Sequence, residues 1–105
     1  MARRPTKPRV PAIDGFLHEP ARLRLLAFLS VLKRADFVYL LRHSGLSRGN
    51  LSAQMTKLAD AGFVQIEKTF AQNKPRTIYQ LTGKGREALR TYKREMTVLM
   101  DTLPD

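Results

Sequence analysis

The punctuation between residues 36 and 62 constrains this chain more than any other stretch of it. At its centre stands Gly45-Leu46-Ser47. Glycine takes the left-handed conformation that ends a helix, and a serine oxygen accepts from the first free N–H groups of the next one. One helix therefore ends and another begins within three residues. Asp36 supplies a cap for the earlier helix, which carries Phe37, Leu40 and Leu41 on one face. Leu51, Met55 and Leu58 recur at i, i+4 and i+7 in the later helix, which Ser47 caps and Gly62 ends near Ala61. Phe63 is placed to fold back on Leu58, as in a Schellman stop. Two short helices joined by a Gly-containing turn make a helix-turn-helix.

The flanking segments extend the pattern. A helix is expected from Pro20 to about Leu32, because proline suits the first helical position. Its Leu23, Leu25, Leu26, Phe28, Leu29 and Leu32 are apolar on more than one face, so it belongs at the centre. Beyond Gly62 the period changes to two. Val64, Ile66 and Phe70 alternate with Gln65, Glu67 and Thr69, and Thr77, Tyr79 and Leu81 alternate with Ile78 and Gln80. The polar stretch Ala71-Gln72-Asn73-Lys74-Pro75 between them has hairpin length. Thr82 caps a closing helix with Leu89, Tyr92, Met96, Leu99 and Leu103 along one stripe. The expected fold is α+β and mostly helical: three helices, a two-stranded wing hairpin and a C-terminal dimerisation helix, the order of a winged helix-turn-helix.

The wording of these segments is similar to a known group. His18-Glu19-Pro20-Ala21-Arg22-Leu23-Arg24-Leu25-Leu26, the run LSRGNLSAQMTKLADAGFV from Leu46 to Val64, and Glu67-Lys68-Thr69-Phe70 with Arg76-Thr77-Ile78-Tyr79-Gln80-Leu81-Thr82 resemble small prokaryotic winged-helix regulators related to the MarR and ArsR groups. The likeness spans roughly residues 13 to 100. It implies a transcriptional regulator that binds double-stranded DNA as a homodimer, with the third helix in the major groove and the wing on backbone or minor groove. Repression is the expected output, since no activation surface is legible.

Charge points the same way. Nineteen Lys and Arg against nine Asp and Glu give a net charge of +10, which calls for a polyanionic partner. The 105 residues suffice for one domain. Residues 1–12 hold Arg3, Arg4, Lys7 and Arg9 with three prolines and no acid, and read as a disordered basic arm. Residues 13–88 read as the DNA-binding domain and 89–105 as the last part of the closing helix. No run approaches the roughly 18 apolar residues of a membrane span. Prolines, not an apolar core, follow the N-terminal charges, so no secretory signal is expected. A soluble cytoplasmic protein without a membrane partner is the expectation.

The outward face of the third helix shows Arg48, Asn50, Ser52, Ala53, Gln54, Thr56 and Lys57, with Ser47 at its start. Asn or Gln can read adenine and Arg can read guanine in the major groove. A merely solvated face would carry more Glu and Lys, and Asp60 is the sole acid in this helix. On the hairpin, Lys68, Asn73, Lys74 and Arg76 suit phosphates, which fix register without reading sequence. The plainer reading is a charged edge that resists aggregation.

The closing stripe is too short for an independent coiled coil. It could cover the domain's own core; together with Phe16 and Leu17 it reads rather as a homodimer interface, where any small-molecule effector would also have to bind. Catalysis and cofactors are not expected: no Gly-rich phosphate loop, carboxylate pair or activated nucleophile is present. His18 and His43 have no ligand at metal spacing, and cysteine, on which the metal-sensing ArsR-like proteins rely, is absent. Two other classes compete. A winged-helix protein-interaction module would show a neutral or acidic surface with an apolar third helix. A non-specific, nucleoid-type nucleic-acid binder is favoured by the basic arm.

Overall fold

Glu19 starts the first helix. Its carboxylate accepts from the N–H groups of Ala21 at 3.1 Å and Arg22 at 2.9 Å, and Pro20 takes the position where a donor is least needed. The helix α1 (Pro20–Leu32) buries Leu25, Leu26 and Leu29 completely and runs through the middle of the molecule, as its several apolar faces require. The computed structural model describes residues 9–105; residues 1–8, with Arg3, Arg4 and Lys7 of the expected arm, lie outside them.

A short strand β1 (Arg34–Asp36) leads into α2 (Phe37–Ser44), and α3 (Arg48–Asp60) follows. Asp36 caps α2 through the N–H of Tyr39 at 2.8 Å, and Ser47 caps α3 through the N–H of Asn50 at 3.1 Å. Gly45 sits at φ 78° and Gly62 at φ 83°, conformations that side chains other than glycine's adopt at a cost. Behind Gly62 the two Schellman bonds form: Phe63 N–H to the Leu58 carbonyl and Gly62 N–H to the Ala59 carbonyl, both 2.9 Å.

Strands β2 (Val64–Ala71) and β3 (Lys74–Leu81) pair antiparallel from Val64 opposite Leu81 to Ala71 opposite Lys74. The expected five-residue loop is shorter than that. Ala71, Lys74 and Pro75 belong to the strands, and Gln72 and Asn73 alone turn the chain at φ 53° and 62°. Two positive φ values are the mark of a type I′ turn, whose twist suits a hairpin. β2 and β3 form the expected two-stranded wing, and β1 adds a third strand to the sheet, in the order β1-β3-β2. Three residues are too few to show alternation in sequence; β1 exists because β3 offers Ile78 to Gln80 as a template for Arg34 to Asp36. Pro75 lies where β1 does not reach and that side of β3 is an edge.

The closing helix α4 (Gly83–Asp101) is fixed at its start. The Thr82 hydroxyl accepts from Gly85 N–H at 3.0 Å and donates to the Gly62 carbonyl at 2.6 Å. Thr82 N–H bonds to the Phe63 carbonyl at 3.0 Å, so the ends of α3 and β3 are tied at one corner. The core joins Leu17, Leu25, Leu26, Leu29, Leu40, Leu51, Met55 and Leu58 to Val64, Tyr79, Leu81 and Tyr92. The buried Ser44 hydroxyl accepts from Leu46 N–H at 3.2 Å, and among the described residues no buried side-chain polar atom lacks a partner.

Candidate nucleic-acid interface

Because Leu51, Met55 and Leu58 are sunk in the core, α3 turns Arg48, Asn50, Ser52, Ala53, Thr56 and Lys57 outward, all exposed. Ser47 is exposed too, with its oxygen engaged as the cap. The Thr56 hydroxyl donates to the Ser52 carbonyl at 3.0 Å and lies along the helix. Arg48 leans over the Phe37 ring at 5.6 Å, which attaches its stem to α2.

Gln54 differs from its neighbours. It is half-buried, its Oε1 accepts from Arg22 Nη1 at 2.9 Å, and its Nε2 donates to Asn50 Oδ1 at 3.2 Å. In the sequence Arg22 stands only within the run from His18 to Leu26 and carries no role of its own. Yet Arg22 also donates through Nε to the Phe16 carbonyl at 2.7 Å, stands 4.6 Å from the Phe16 ring centroid and lies 3.7 Å from the Glu19 carboxylate. Its side chain is 13% exposed. The Glu19 carboxyl is held below its ordinary pKa, first by the N–H of Arg22; the N–H of Ala21 and the charges of Arg22 and Lys57 add to this against the opposing effect of burial. An arginine set directly before Leu23, Leu25 and Leu26 carries no sign of a partner 32 positions away.

The wing cations do not share one face. Residues directly opposed in an antiparallel pair project to the same side. Lys68 and Phe70 therefore lie with Thr77 and Pro75, on the side whose inner end, Val64, Tyr79 and Leu81, joins the core. Lys74 and Arg76 lie on the other side with Ala71 and Thr69. On that side Arg76 pairs with Asp36 at 3.2 Å and Arg34 with Glu67 at 3.0 Å, while Lys68 and Lys74 have no carboxylate partner among the described residues. Asn73 stands in the turn itself. Phe70, which the sequence reading used only as a strand residue, is 74% exposed at the wing's end.

The residues expected at a dimer interface are divided as well. Leu17 is 1% exposed and Tyr92 is buried, so both serve the chain's own core. Phe16 packs on Phe63 with ring centroids 5.9 Å apart. Leu89, Met96 and Leu99 are half-buried, and Leu103 lies exposed beyond the end of α4. An open, mainly apolar groove of about 710 Å³ runs between α1 and α4, lined in part by Leu23, Ala27, Val31, Leu89, Met96 and Met100. Val31 is 82% and Met100 56% exposed, and neither belonged to the expected stripe.

The histidines have local partners. His18 Nδ1 and the Tyr92 hydroxyl are 2.8 Å apart, and the His43 ring stacks on Tyr39 at 4.4 Å. Among the described residues no three His, Asp or Glu side chains converge as metal ligands would, and no helix is long and apolar enough to cross a membrane.

Comparison with known proteins adds independent findings. A family model described as a winged helix DNA-binding domain matches residues 21–100. An uncharacterized protein of Methanocaldococcus jannaschii is 36% identical over 78 residues, covering 74% of this chain and 85% of that protein. Among solved structures, the transcriptional regulator homologue protein of Pyrococcus horikoshii OT3 superposes with a TM-score of 0.79 at 27% identity, covering 84% of this chain and 87% of its own. A MarR-family transcriptional regulator of Silicibacter pomeroyi has the same fold, with a TM-score of 0.62 at 24% identity over 83% of this chain and 56% of its own. The winged-helix resemblance carried by residues 46–64 and the hairpin is borne out by these matches.

Proposed function

We propose, from the premise that this chain belongs to the family of winged helix DNA-binding domains, that it is a sequence-specific transcriptional repressor acting as a homodimer. The observation that carries this reading is the exposed face of α3, short polar side chains between Arg48 and Lys57 with no acid before Asp60, beside a wing whose Lys68 and Lys74 have no carboxylate partner among the described residues. Asn50 and Gln54 face base edges; Lys57, Lys68, Lys74 and Arg76 hold phosphates. Ser47, Ser52, Ala53 and Thr56 give a low surface that lets the helix approach closely. Asn73 and Phe70 meet the minor-groove side at the end of the wing. The second copy covers the groove between α1 and α4, since a charged, solvated face has no use for Val31 and Met100.

Selection of bound duplexes from a random pool, followed by footprinting, tests the whole reading. A two-fold symmetric site with protected halves one helical turn apart is expected. A pool that yields no preferred sequence overturns specificity. The net charge of +10 keeps the non-specific binder in play, and a salt titration separates the two: non-specific affinity is almost wholly electrostatic and falls alike for every duplex. The N-terminal arm adds affinity and no preference in this reading. Removing residues 1–12 takes away four positive charges and should flatten the salt slope by up to about four units, equally on selected and random duplexes.

A further inference from the structure

The geometry points to Arg22 as a positioning residue that sets which bases α3 accepts, by fixing the polarity of Gln54 and Asn50. This rests on the reading of α3 as the base-reading helix and goes beyond it.

A guanidinium has five donors and no acceptor, whereas each amide side chain has a donor end and an acceptor end that can exchange places. Arg22 donates at 2.9 Å, so Gln54 must turn Oε1 towards it. Nε2 of Gln54 is then the end that faces Asn50, 3.2 Å away, and Asn50 must answer with Oδ1. Nδ2 of Asn50 is left outward as a donor. The order of donors and acceptors along the row is thus dictated from one end, by a residue on a different helix.

That end is firmly held. The Arg22 Nε bond to the Phe16 carbonyl is 2.7 Å long, and the Phe16 ring lies 4.6 Å from the guanidinium carbon. The Glu19 carboxylate lies 3.7 Å away, and the side chain is 13% exposed. Lysine could supply the charge, but a single ammonium lacks the planar fork that reaches the Phe16 carbonyl and Gln54 together. The consequence for readout is directional. An outward donor favours bases that present acceptors in the major groove, N7 and O6 of guanine, N7 of adenine or O4 of thymine, over the N4 amino group of cytosine.

Base preference should therefore be reversible without touching Asn50. The carboxylate introduced by Gln54→Glu still accepts from Arg22 but can only accept from Asn50 as well. Asn50 must then turn Nδ2 inward and present Oδ1, so the preference at its base position should move towards cytosine, whose N4 amino group is a donor and which offers no major-groove acceptor. The added negative charge weakens every duplex by a common factor, which cancels in the ratio between bases. Arg22→Met releases the row from its fixed end and should leave Asn50 free to take either sense, with the preference at that one position reduced about tenfold and the others retained.

Selection from a randomised duplex pool is run on the full chain and on both variants, with circular dichroism melts confirming that each folds. The expected result is a switched base for Gln54→Glu and a relaxed one for Arg22→Met. A folded Gln54→Glu protein that gains no preference for cytosine over guanine and thymine at the Asn50 position overturns the proposal, whatever Arg22→Met does. If the unsubstituted protein itself selects no sequence, the base-reading role of α3 fails instead, and the relay fails with it; the two failures appear in different samples.

Discussion

The Asp36 carboxylate serves two partners at once: Oδ1 accepts from Tyr39 N–H at 2.8 Å and Oδ2 from Arg76 Nε at 3.2 Å. One side chain thus caps α2 and ties it to the wing. It also means that Arg76 meets a phosphate only after sharing or leaving a carboxylate.

Asp36→Asn separates the two roles, since asparagine caps as well as aspartate but carries no charge. The pair is partly exposed, with the Arg76 side chain at 48%, so losing it should cost at most about 1 kcal/mol. Asp36→Ala should cost about 1 kcal/mol more by losing the cap. Denaturant midpoints at unchanged m-value measure both. On DNA the sign reverses. Asp36→Asn should bind more tightly than the original protein at low salt and steepen the salt slope by about one unit, because Arg76 is set free. An unchanged slope would show that Arg76 does not reach phosphate.

Gly85 is required for a steric reason. A Cβ there would strike the Phe63 carbonyl oxygen and come within 2.8 Å of Leu81 Cδ1, where the first turn of α4 crosses the end of α3. Backbone cannot yield there without breaking the Thr82–Phe63 bond. Gly85→Ala should destabilise the protein by about 1–3 kcal/mol, the usual cost of overpacking. Gly83→Ala is the control, since nothing lies within 4 Å of its Cβ position. Equal melting temperatures for the two variants would contradict the close approach.

Local rules explain why so much of the fold is legible in the sequence. In starting or ending a helix, Pro20, Asp36, Gly45, Ser47, Gly62 and Thr82 each act within four residues of themselves, and each marks a real boundary. What stays hidden depends on distant partners. Strand β1 owes its three pairs to β3, some 44 positions later, and Arg22 meets Gln54 across 32 positions. The stripe on α4 was legible as apolar, but its division was not. Only the packed fold shows that Tyr92 turns into the core with Leu17 while Val31, from another helix, stands open beside Met96. The wing cations were found by charge, and the register alone separates Lys68 from Lys74 and Arg76.

Acid should loosen the start of α1. The Glu19 carboxyl is held below its ordinary pKa in the folded chain, chiefly by the Arg22 N–H. A group with a lowered folded value contributes stability above its unfolded value, about 4.3 for glutamate, and loses that contribution as pH falls through the folded value. The melting temperature should therefore decline as pH drops below about 4.3, and Glu19→Gln should decline less over the same window. At neutral pH, Glu19→Ala should cost about 1 kcal/mol through the lost cap. Parallel pH profiles for the original and the Glu19→Gln protein would remove Glu19 from the account.

Charge placed in the groove between α1 and α4 distinguishes interface from core. Val31 is 82% exposed in the single chain, so Val31→Glu should leave the fold and its melting cooperativity intact. If a second copy covers that groove, the same glutamate would be taken out of water there, and its desolvation, offset only in part by Lys93 of the groove, should oppose association. Sedimentation should then show dimers for the original protein and monomers for Val31→Glu and Met100→Glu. Leu17→Glu should instead unfold the chain, because Leu17 is 1% exposed in its own core. The monomers keep α3 and the wing, so they should still hold single half-sites, with affinity for the full symmetric site reduced by the loss of the linked second contact. An original protein that sediments as a monomer at micromolar concentration would leave Val31 and Met100 without a covering partner and end the dimer reading.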